Sequence, residues 1–271
     1  MAAPNAITGL GVGATDAGGA WTYTCGAPGS GGAGTVVILQ ILQDGATNGA
    51  VTVSSGTNIE NLVGTDNVWT QIPGPNADGS FPVGASSEAR QHLYIGRQLS
   101  ASAPTAAGGN STSEDLYIRS YPFNNVNTGT TLANVIENGS AGATANGVGT
   151  SATASDTGVT TLDVDRLVLQ FIAVNDDLVI PAFTGETGGD WGINGASYAD
   201  AGGTDGAICC QISTAPTATT INGGTGSLGI SGAWGVVGFA LIGTTAGAPV
   251  TLNTNFMRRR RGKIRQGVYI A

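Results

Sequence analysis

Few side chains in this sequence could do chemistry. Asp163 and Asp165 form an Asp-x-Asp pair, and Asp176-Asp177 follows one strand-length later. Carboxylates set among Gly and Asn could hold calcium, which takes about six to eight oxygen ligands. No complete calcium loop surrounds these four, so carboxylates that flank a strand and face water are the simpler expectation. The sole histidine, His92, would have to be the base of any serine triad. It lies inside the strand-like run Arg90-Gln91-His92-Leu93-Tyr94. Neither Gly139-Ser140-Ala141-Gly142 nor Gly226-Ser227-Leu228-Gly229 has the Gly-x-Ser-x-Gly spacing of a nucleophile elbow, so His92 reads as a structural residue. Gly29-Ser30-Gly31-Gly32 leads into an apolar strand at Val36 and lacks Gly-Lys-Ser/Thr, which excludes a phosphate cradle on a helix N-terminus. Glycoside hydrolysis needs two carboxylates at a set separation, and no distinctive pair stands out. These residues predict no catalytic site, no metal and no cofactor.

Cys209 and Cys210 are adjacent in Ile208-Cys209-Cys210-Gln211-Ile212. Successive strand residues point to opposite faces, so one thiol on each side of a buried strand is expected. With Cys25 they make three cysteines in 271 residues. That is no disulfide framework and fits a chain made in a reducing cytosol.

Charge is the most uneven property. Residues 1–257 hold four basic and 18 acidic residues, a formal charge of −14, whereas the last fourteen positions carry +6 through Arg258, Arg259, Arg260, Arg261, Lys263 and Arg265. Three readings of this segment stay open: phosphate neutralisation on nucleic acid, docking on an acidic partner surface, and neutralisation of the chain's own acidic body. Nucleic acid is the weaker fit, because the cluster lacks the interleaved aromatics of a single-strand groove. Ile264, Val268 and Ile270 alternate with polar neighbours, as in a strand that could complete a sheet edge on a neighbour. This favours docking, with 257–271 as an anchoring segment behind a body of 1–256.

The elements that must position these groups are strands. Short runs rich in Val, Ile, Thr and Tyr are punctuated by Gly, Asn, Asp, Ser and Pro, the pattern of strands and turns. Val36–Leu42 is almost continuously apolar and suits a strand covered on both faces. Further strands are expected over Leu93–Leu99, Leu116–Tyr121, Arg166–Val174 and Trp234–Ile242. Gly-rich loops are expected at Gly26–Gly34, Ala106–Ser113, Asn138–Thr157, Gly185–Gly189 and Gly223–Gly229. The halves either side of 138–157 share a motif, Leu39-Gln40-Ile41-Leu42 against Leu169-Gln170-Phe171-Ile172, which suggests two similar halves. Together these predict an all-β, jelly-roll-like β-sandwich with Greek-key connections, its core held by Trp21, Trp69, Trp191 and Trp234. The start, Met1 to Asn5, lacks a signal-like apolar stretch. The longest apolar run, Ala233–Ile242, is far short of the ~20 residues of a membrane helix, so neither Sec export nor a membrane is expected.

The chain resembles a broad group of tailed-bacteriophage virion proteins of the minor tail, tail-fibre and head-decoration type. The resemblance spans about 90–241. It rests on Glu114-Asp115-Leu116-Tyr117-Ile118-Arg119-Ser120-Tyr121 with Asn127-Thr128-Gly129-Thr130-Thr131-Leu132, and on Asp165-Arg166-Leu167-Val168-Leu169. Thr184-Gly185-Glu186-Thr187-Gly188-Gly189-Asp190-Trp191 and Ser231-Gly232-Ala233-Trp234-Gly235-Val236-Val237-Gly238-Phe239-Ala240-Leu241 complete it. It implies a β-rich, non-enzymatic protein of the virion exterior, with capsid or tail proteins as partners. A closed homo-oligomer, a trimer foremost, is the implied state. The composition agrees: 45 Gly, 10% charged residues and a single lysine suit a surface packed against neighbours. The alternative is a lectin-like module binding a cell-surface glycan, with Asp190, Trp191 and Tyr198 as its contacts.

Overall fold

The structure, a computed structural model, describes residues 4–6, 11–15, 19–25, 32–44, 51–85, 89–110, 116–137, 143–153, 158–164, 166–175, 183–188, 190–199, 206–215 and 220–244. Strands are numbered in chain order. One large sheet comprises β1 (Asn5–Ala6), β2 (Gly11–Thr15), β4 (Val36–Asp44), β6 (Ile59–Glu60), β7 (Thr70–Ile72), β8 (Phe81–Val83), β9 (Ala89–Gln98) and β11 (Leu116–Asn124). A small sheet holds β3 (Gly19–Thr24), β5 (Val51–Thr57) and β10 (Thr105–Asn110), in the order β3-β10-β5. A second large sheet comprises β12 (Ile136–Glu137), β13 (Ala143–Thr153), β15 (Arg166–Asn175), β16 (Phe183–Thr184), β17 (Asp190–Ala199), β18 (Gly206–Ala215) and β20 (Thr225–Ile242). β14 (Val159–Thr160) pairs with β19 (Thr220–Ile221), and α1 (Leu132–Val135) is the one helix among the described residues. Every ladder is antiparallel. The all-β sandwich expected from the sequence is the architecture found, with more layers than two.

Side-chain alternation builds those layers. On β4, Val36 and Ile38 enter a core with Leu167, Leu169 and Phe171 of β15 and Val237, Phe239 and Leu241 of β20. The intervening Val37, Leu39 and Ile41 enter a separate core with Trp21, Tyr23, Val51 and Ala106 of the small sheet. The first large sheet is therefore buried on both faces, which is why β4 reads as an almost continuous apolar run. The far face of the second large sheet, through Ile172, Val174, Cys209 and Val236, is covered by Phe183, Leu228 and Trp234. Nearby, Val168 and Ala240 pack under Val159 and Ile221 of the β14–β19 pair. Burying each such aliphatic side chain is worth about 1.5–3 kcal/mol, so the layering itself accounts for stability without disulfides.

A polar clip crosses the central core. Gln40 Nε2 donates to Gln91 Oε1 on the adjacent strand and, at 3.0 Å, to the carbonyl of Ile172 in the opposing sheet. Its Oε1 accepts from the Tyr121 hydroxyl at 2.7 Å. Both amide hydrogens and the oxygen are used, so the buried amide is satisfied. The Tyr121 ring stands edge-on to Phe171 at 5.5 Å, and Arg119, 3% exposed, lies over the same ring at 5.7 Å.

The two large sheets share a strand order. β11-β4-β9 and β20-β15-β18 each place the earliest strand in the middle, the next on one side and the last on the other. The motif shared by the halves behaves differently. Leu39 and Ile41 face away from the second large sheet, while Leu169 and Phe171 face toward the first. Gln40 points into the central core, whereas Gln170, 0% exposed, lies beneath Gly223 on the outer face. The matching faces thus point the same way along the stack, and no two-fold axis through the central core relates them.

Three expected loops contain strands. β13 occupies most of 138–157, β10 the start of Ala106–Ser113, and β20 begins at Thr225 inside Gly223–Gly229. The reason is close packing of indoles on glycine. Trp21 is the cross-strand partner of Gly108, and Trp234 of Gly147. A Cβ on Gly108 would lie 2.6 Å from Trp21 Cζ2 and 1.8 Å from the Thr52 carbonyl oxygen, and one on Gly147 would lie 3.0 Å from Trp234 Cζ2. A Cβ on Gly56 would meet Trp69 Nε1 at 2.8 Å. These glycines are strand residues that make room for aromatic cover. Trp21, Trp69 and Trp234 are core residues as expected, whereas Trp191 is half-buried against the Val159 and Ile221 cluster. Gly108→Ala is expected to lower stability by about 1–3 kcal/mol in chemical denaturation, the range for overpacking. Gly149→Ala, with nothing within 4 Å of its Cβ position, should stay within about 0.5 kcal/mol of the parent. Equal effects at the two sites would contradict the packing account.

Candidate functional site

Of the residues singled out from sequence, only some lie among the described residues. Arg258, Arg259, Arg260, Arg261, Lys263, Ile264, Arg265, Val268 and Ile270 lie outside the described residues, as do Asp165, Asp176 and Asp177. Asp190 and Tyr198 occupy ladder positions on β17 opposite Thr214 and Ile208, with a bulge between Asn194 and Tyr198. Trp191 donates its indole N–H to the Thr187 carbonyl at 3.3 Å. Asp163 accepts from the Val164 N–H at 2.7 Å. Among the described residues no three His, Cys, Asp or Glu side chains are grouped as metal ligands.

The buried reactive groups are quenched. Cys209 packs on the outer face of the second large sheet and Cys210 in the central core, one thiol to each side as expected. Burial pushes the Cys209 thiol up to about 12, with the Arg119 charge opposing it. Burial also raises Cys25 to about 12, against hydrogen bonds that lower it. None of the three is a thiolate near neutral pH, so none has nucleophilic character there.

All four arginines of the body are engaged internally. Arg90 pairs with Asp78 at 2.5 Å and Arg166 with Glu137 at 2.5 Å. Glu137 Oε1 also accepts from the Leu162 N–H, which ties β12 to the approach of β15. Arg97, 6% exposed, donates to the carbonyls of Leu62 and Gly129. Arg119 is buried between the large sheets. Asp66 is exposed and Glu60, Asp163 and Glu186 partly so, so the charge that the described surface turns to solvent is negative.

A concave site opens where the β5 edge of the small sheet meets the first large sheet at β7 and β9. It is about 430 Å³ and lined by Val51, Thr52, Val53, Trp69, Gln71, Asp78 and Tyr94. The Trp69 indole N–H is fixed to the Thr105 carbonyl at 3.2 Å, and the Tyr94 hydroxyl is tied to the Val53 backbone. Asp78 Oδ1 accepts from the Ser80 N–H at 3.0 Å and the Ser80 hydroxyl at 2.6 Å, and Oδ2 from Arg90. Burial alone would raise this carboxyl; the bonds from Ser80 and Arg90 outweigh it and hold it at about 2. Gln71 Nε2 donates to the Asp78 carbonyl at 3.0 Å. Gly79, at φ +76°, holds the turn, and a Cβ there would lie 2.7 Å from Gln71 Nε2. Its groups come from three separate strands and the segments before β7 and β8, which no local pattern in the sequence links. The one local signal was the Gly74-to-Ser80 turn that carries Asp78.

No known family, curated protein or solved structure matches the chain, so the site is read from its own chemistry. Beneath it lies His92, 0% exposed, with neither ring nitrogen hydrogen-bonded among the described residues, the structural strand histidine expected from the sequence. Burial depresses it to about 4, the Asp78 charge opposing and the Arg90 charge reinforcing the shift. Its ordinary value is 6.5. Below that, the unfolded chain takes up a proton the folded chain refuses, so stability is complete above 6.5 and falls toward 4, by about 3 kcal/mol in all. Asp78 loses its contribution only between its ordinary 3.8 and about 2, a separate window. The thermal midpoint should therefore drop between pH 6.5 and about 5, and His92→Leu should flatten that drop. A parent midpoint that is level across this interval would refute the assignment.

Proposed function

We propose that this chain is a non-enzymatic structural protein of a bacteriophage virion. In this reading it sits on the particle exterior as a tail, fibre or capsid-decoration component, and it is docked by its C-terminal segment. One observation carries it: every arginine of the body is consumed in internal pairs or burial. The +6 of residues 258–271 is therefore the chain's concentration of cations outside those internal contacts, on a chain whose remainder carries −14. Opposite charge steers association and sets its register. Arg258, Arg259, Arg260, Arg261, Lys263 and Arg265 supply the attraction, and Ile264, Val268 and Ile270 the strand that pairs with a partner's sheet edge. Acidic body charge disfavours nucleic acid, leaving other virion proteins and further copies of this chain as partners, with a closed trimer the favoured assembly.

The stacked sheets support the reading physically. Long antiparallel ladders buried on both faces resist local opening, a property suited to a particle exposed outside a cell. Removing residues 257–271 is expected to leave a body that melts within a few degrees of the parent but no longer co-sediments with particles. Particles assembled in high salt should also release the full-length protein, because screening weakens exposed ion pairs. Normal incorporation of the truncated chain would rule out C-terminal docking.

A further inference from the structure

We infer that one end of the sheet stack is the resting seat of this chain's own C-terminal segment, residues 258–270, held there in the same molecule until a partner displaces it. The end is that of Val36 and Arg97 in the first large sheet and of Arg166 and Ile242 in the second. Backbone bonds join the two: the Asn127 N–H donates to the Ile242 carbonyl at 2.8 Å, and the Thr244 N–H to the Asn125 carbonyl at 2.9 Å. Among the described residues, the exposed large apolar side chains are Val63, Leu99, Val148, Leu162 and Val164. Four of the five lie at this end. Val63 follows Leu62, whose carbonyl holds Arg97. Leu99 follows the last residue of β9 and donates its N–H to Asn58. Leu162 donates its N–H to Glu137, the partner of Arg166, and Val164 lies two residues on. Only Val148 lies elsewhere, on β13 opposite Ala233. Scattered singly, such residues mean little; gathered at one end, with Val63 67% and Leu162 76% exposed, they mark a contact surface.

The charge at the same end complements that of the segment. Glu60 and Asp66 flank Val63 and pair across an isolated bridge, and Asp163 stands between Leu162 and Val164. All three are at least partly exposed. Asp163 spends one acceptor position on the Val164 N–H. The cations at this end are already engaged: Arg97 with the Leu62 and Gly129 carbonyls and the nearby Glu60 charge, Arg166 with Glu137. Residues 258–270 carry six cations, with Ile264, Val268 and Ile270 set among and after them. The segment therefore offers both things this end lacks, cover for exposed aliphatic groups and countercharge for carboxylates.

The chain itself delivers the segment to this end. Thr244 is bonded there, and thirteen residues separate it from Arg258. At about 3.3 Å per residue they reach about 45 Å, enough for any point on that end. A short tether gives an effective concentration in the millimolar range, so docking in the same molecule precedes docking on another. Other occupants fit less well. The same end of a second copy would set carboxylate against carboxylate, and nucleic acid would meet negative charge. A purely apolar ligand would desolvate Glu60, Asp66 and Asp163 without pairing them. The seat is a property of the isolated chain, whatever the partner, and so goes beyond the virion proposal. A partner that takes the segment must compete for it with the chain's own body.

Paramagnetic relaxation NMR on the full chain tests this. Cys25, Cys209 and Cys210 are buried, so Ala271→Cys supplies one reactive thiol for a nitroxide label. At low salt the label should broaden the amides of Val63, Asp66, Leu162 and Val164, and dilution should leave the broadening unchanged. A mixture of labelled, unenriched chain with unlabelled, isotope-enriched chain should show none. Val63→Ser combined with Leu162→Ser, two side chains that lie mostly in water, should keep the parent's melting curve and lower the ratio of docked to free segment about tenfold. Asp66→Asn combined with Asp163→Asn should lower it as well. Broadening that is absent, or confined to other parts of the body, would overturn the inference. So would broadening in the mixed sample alone, which would put the segment on a second copy, or broadening that both double variants leave unchanged. Co-sedimentation with particles is a separate readout, so failure here leaves C-terminal docking on the virion to be judged on its own measurement.

Discussion

Close backbone approach at glycine is the constraint on which the rest of this structure depends. Indoles lie over Gly108 and Gly147 as cross-strand partners, and Trp69 closes on Gly56. Between the large sheets the same device recurs. A Cβ on Gly235 would sit 2.5 Å from the Pro82 carbonyl oxygen, and one on Gly206 would sit 2.8 Å from Leu42 Cδ2. Without these positions the layers would be forced apart and their interdigitated side chains would lose the near contacts that dispersion requires. The high glycine content is thus a packing feature of strands as much as a turn feature of loops.

Once the layers are in contact, alternation along each strand sorts side chains between cores. A buried strand presents two apolar faces, and each polar residue on it must be answered inside the protein. Gln40 is answered by Gln91, Tyr121 and the backbone of the opposing sheet. That contact is directional where the surrounding apolar packing is not. It fixes the slide of β4 over β15, which aliphatic side chains alone would specify only loosely. The same reasoning explains the body's arginines: Arg90 and Arg166 find carboxylates, Arg97 finds carbonyls and Arg119 lies over the Tyr121 ring, and the surface is left acidic.

The groove is a by-product of that layering. Trp69 and Tyr94 stay almost wholly buried in the core beneath it. The Asp78 turn and Gln71, whose placement depends on the left-handed conformation of Gly79, supply the polar side.

The sequence by itself determined the class of the fold. Period-two alternation, turn residues and the scarcity of helix formers are local properties, and they correctly marked β4, β9, β11, β15 and the second half of β20. It also determined the divergent placement of Cys209 and Cys210 and the interior role of His92, because strand parity is local. Tertiary structure decided the rest. That Gly108 and Gly147 are strand residues depends on an indole from a distant segment, so 105–110 and 143–153 look like loops when read alone. The shared Leu-Gln motif was legible, but which face of each sheet it meets was not, since facing is set by the stacking of layers. The groove residues span Val51 to Tyr94, on β5, β7 and β9 and on the segments that hold Trp69 and Asp78. Only the register of the strands brings the Gln71 amide and the Asp78 carboxylate over the buried Trp69 and Tyr94, and register between distant strands is a non-local property that no short stretch of sequence encodes.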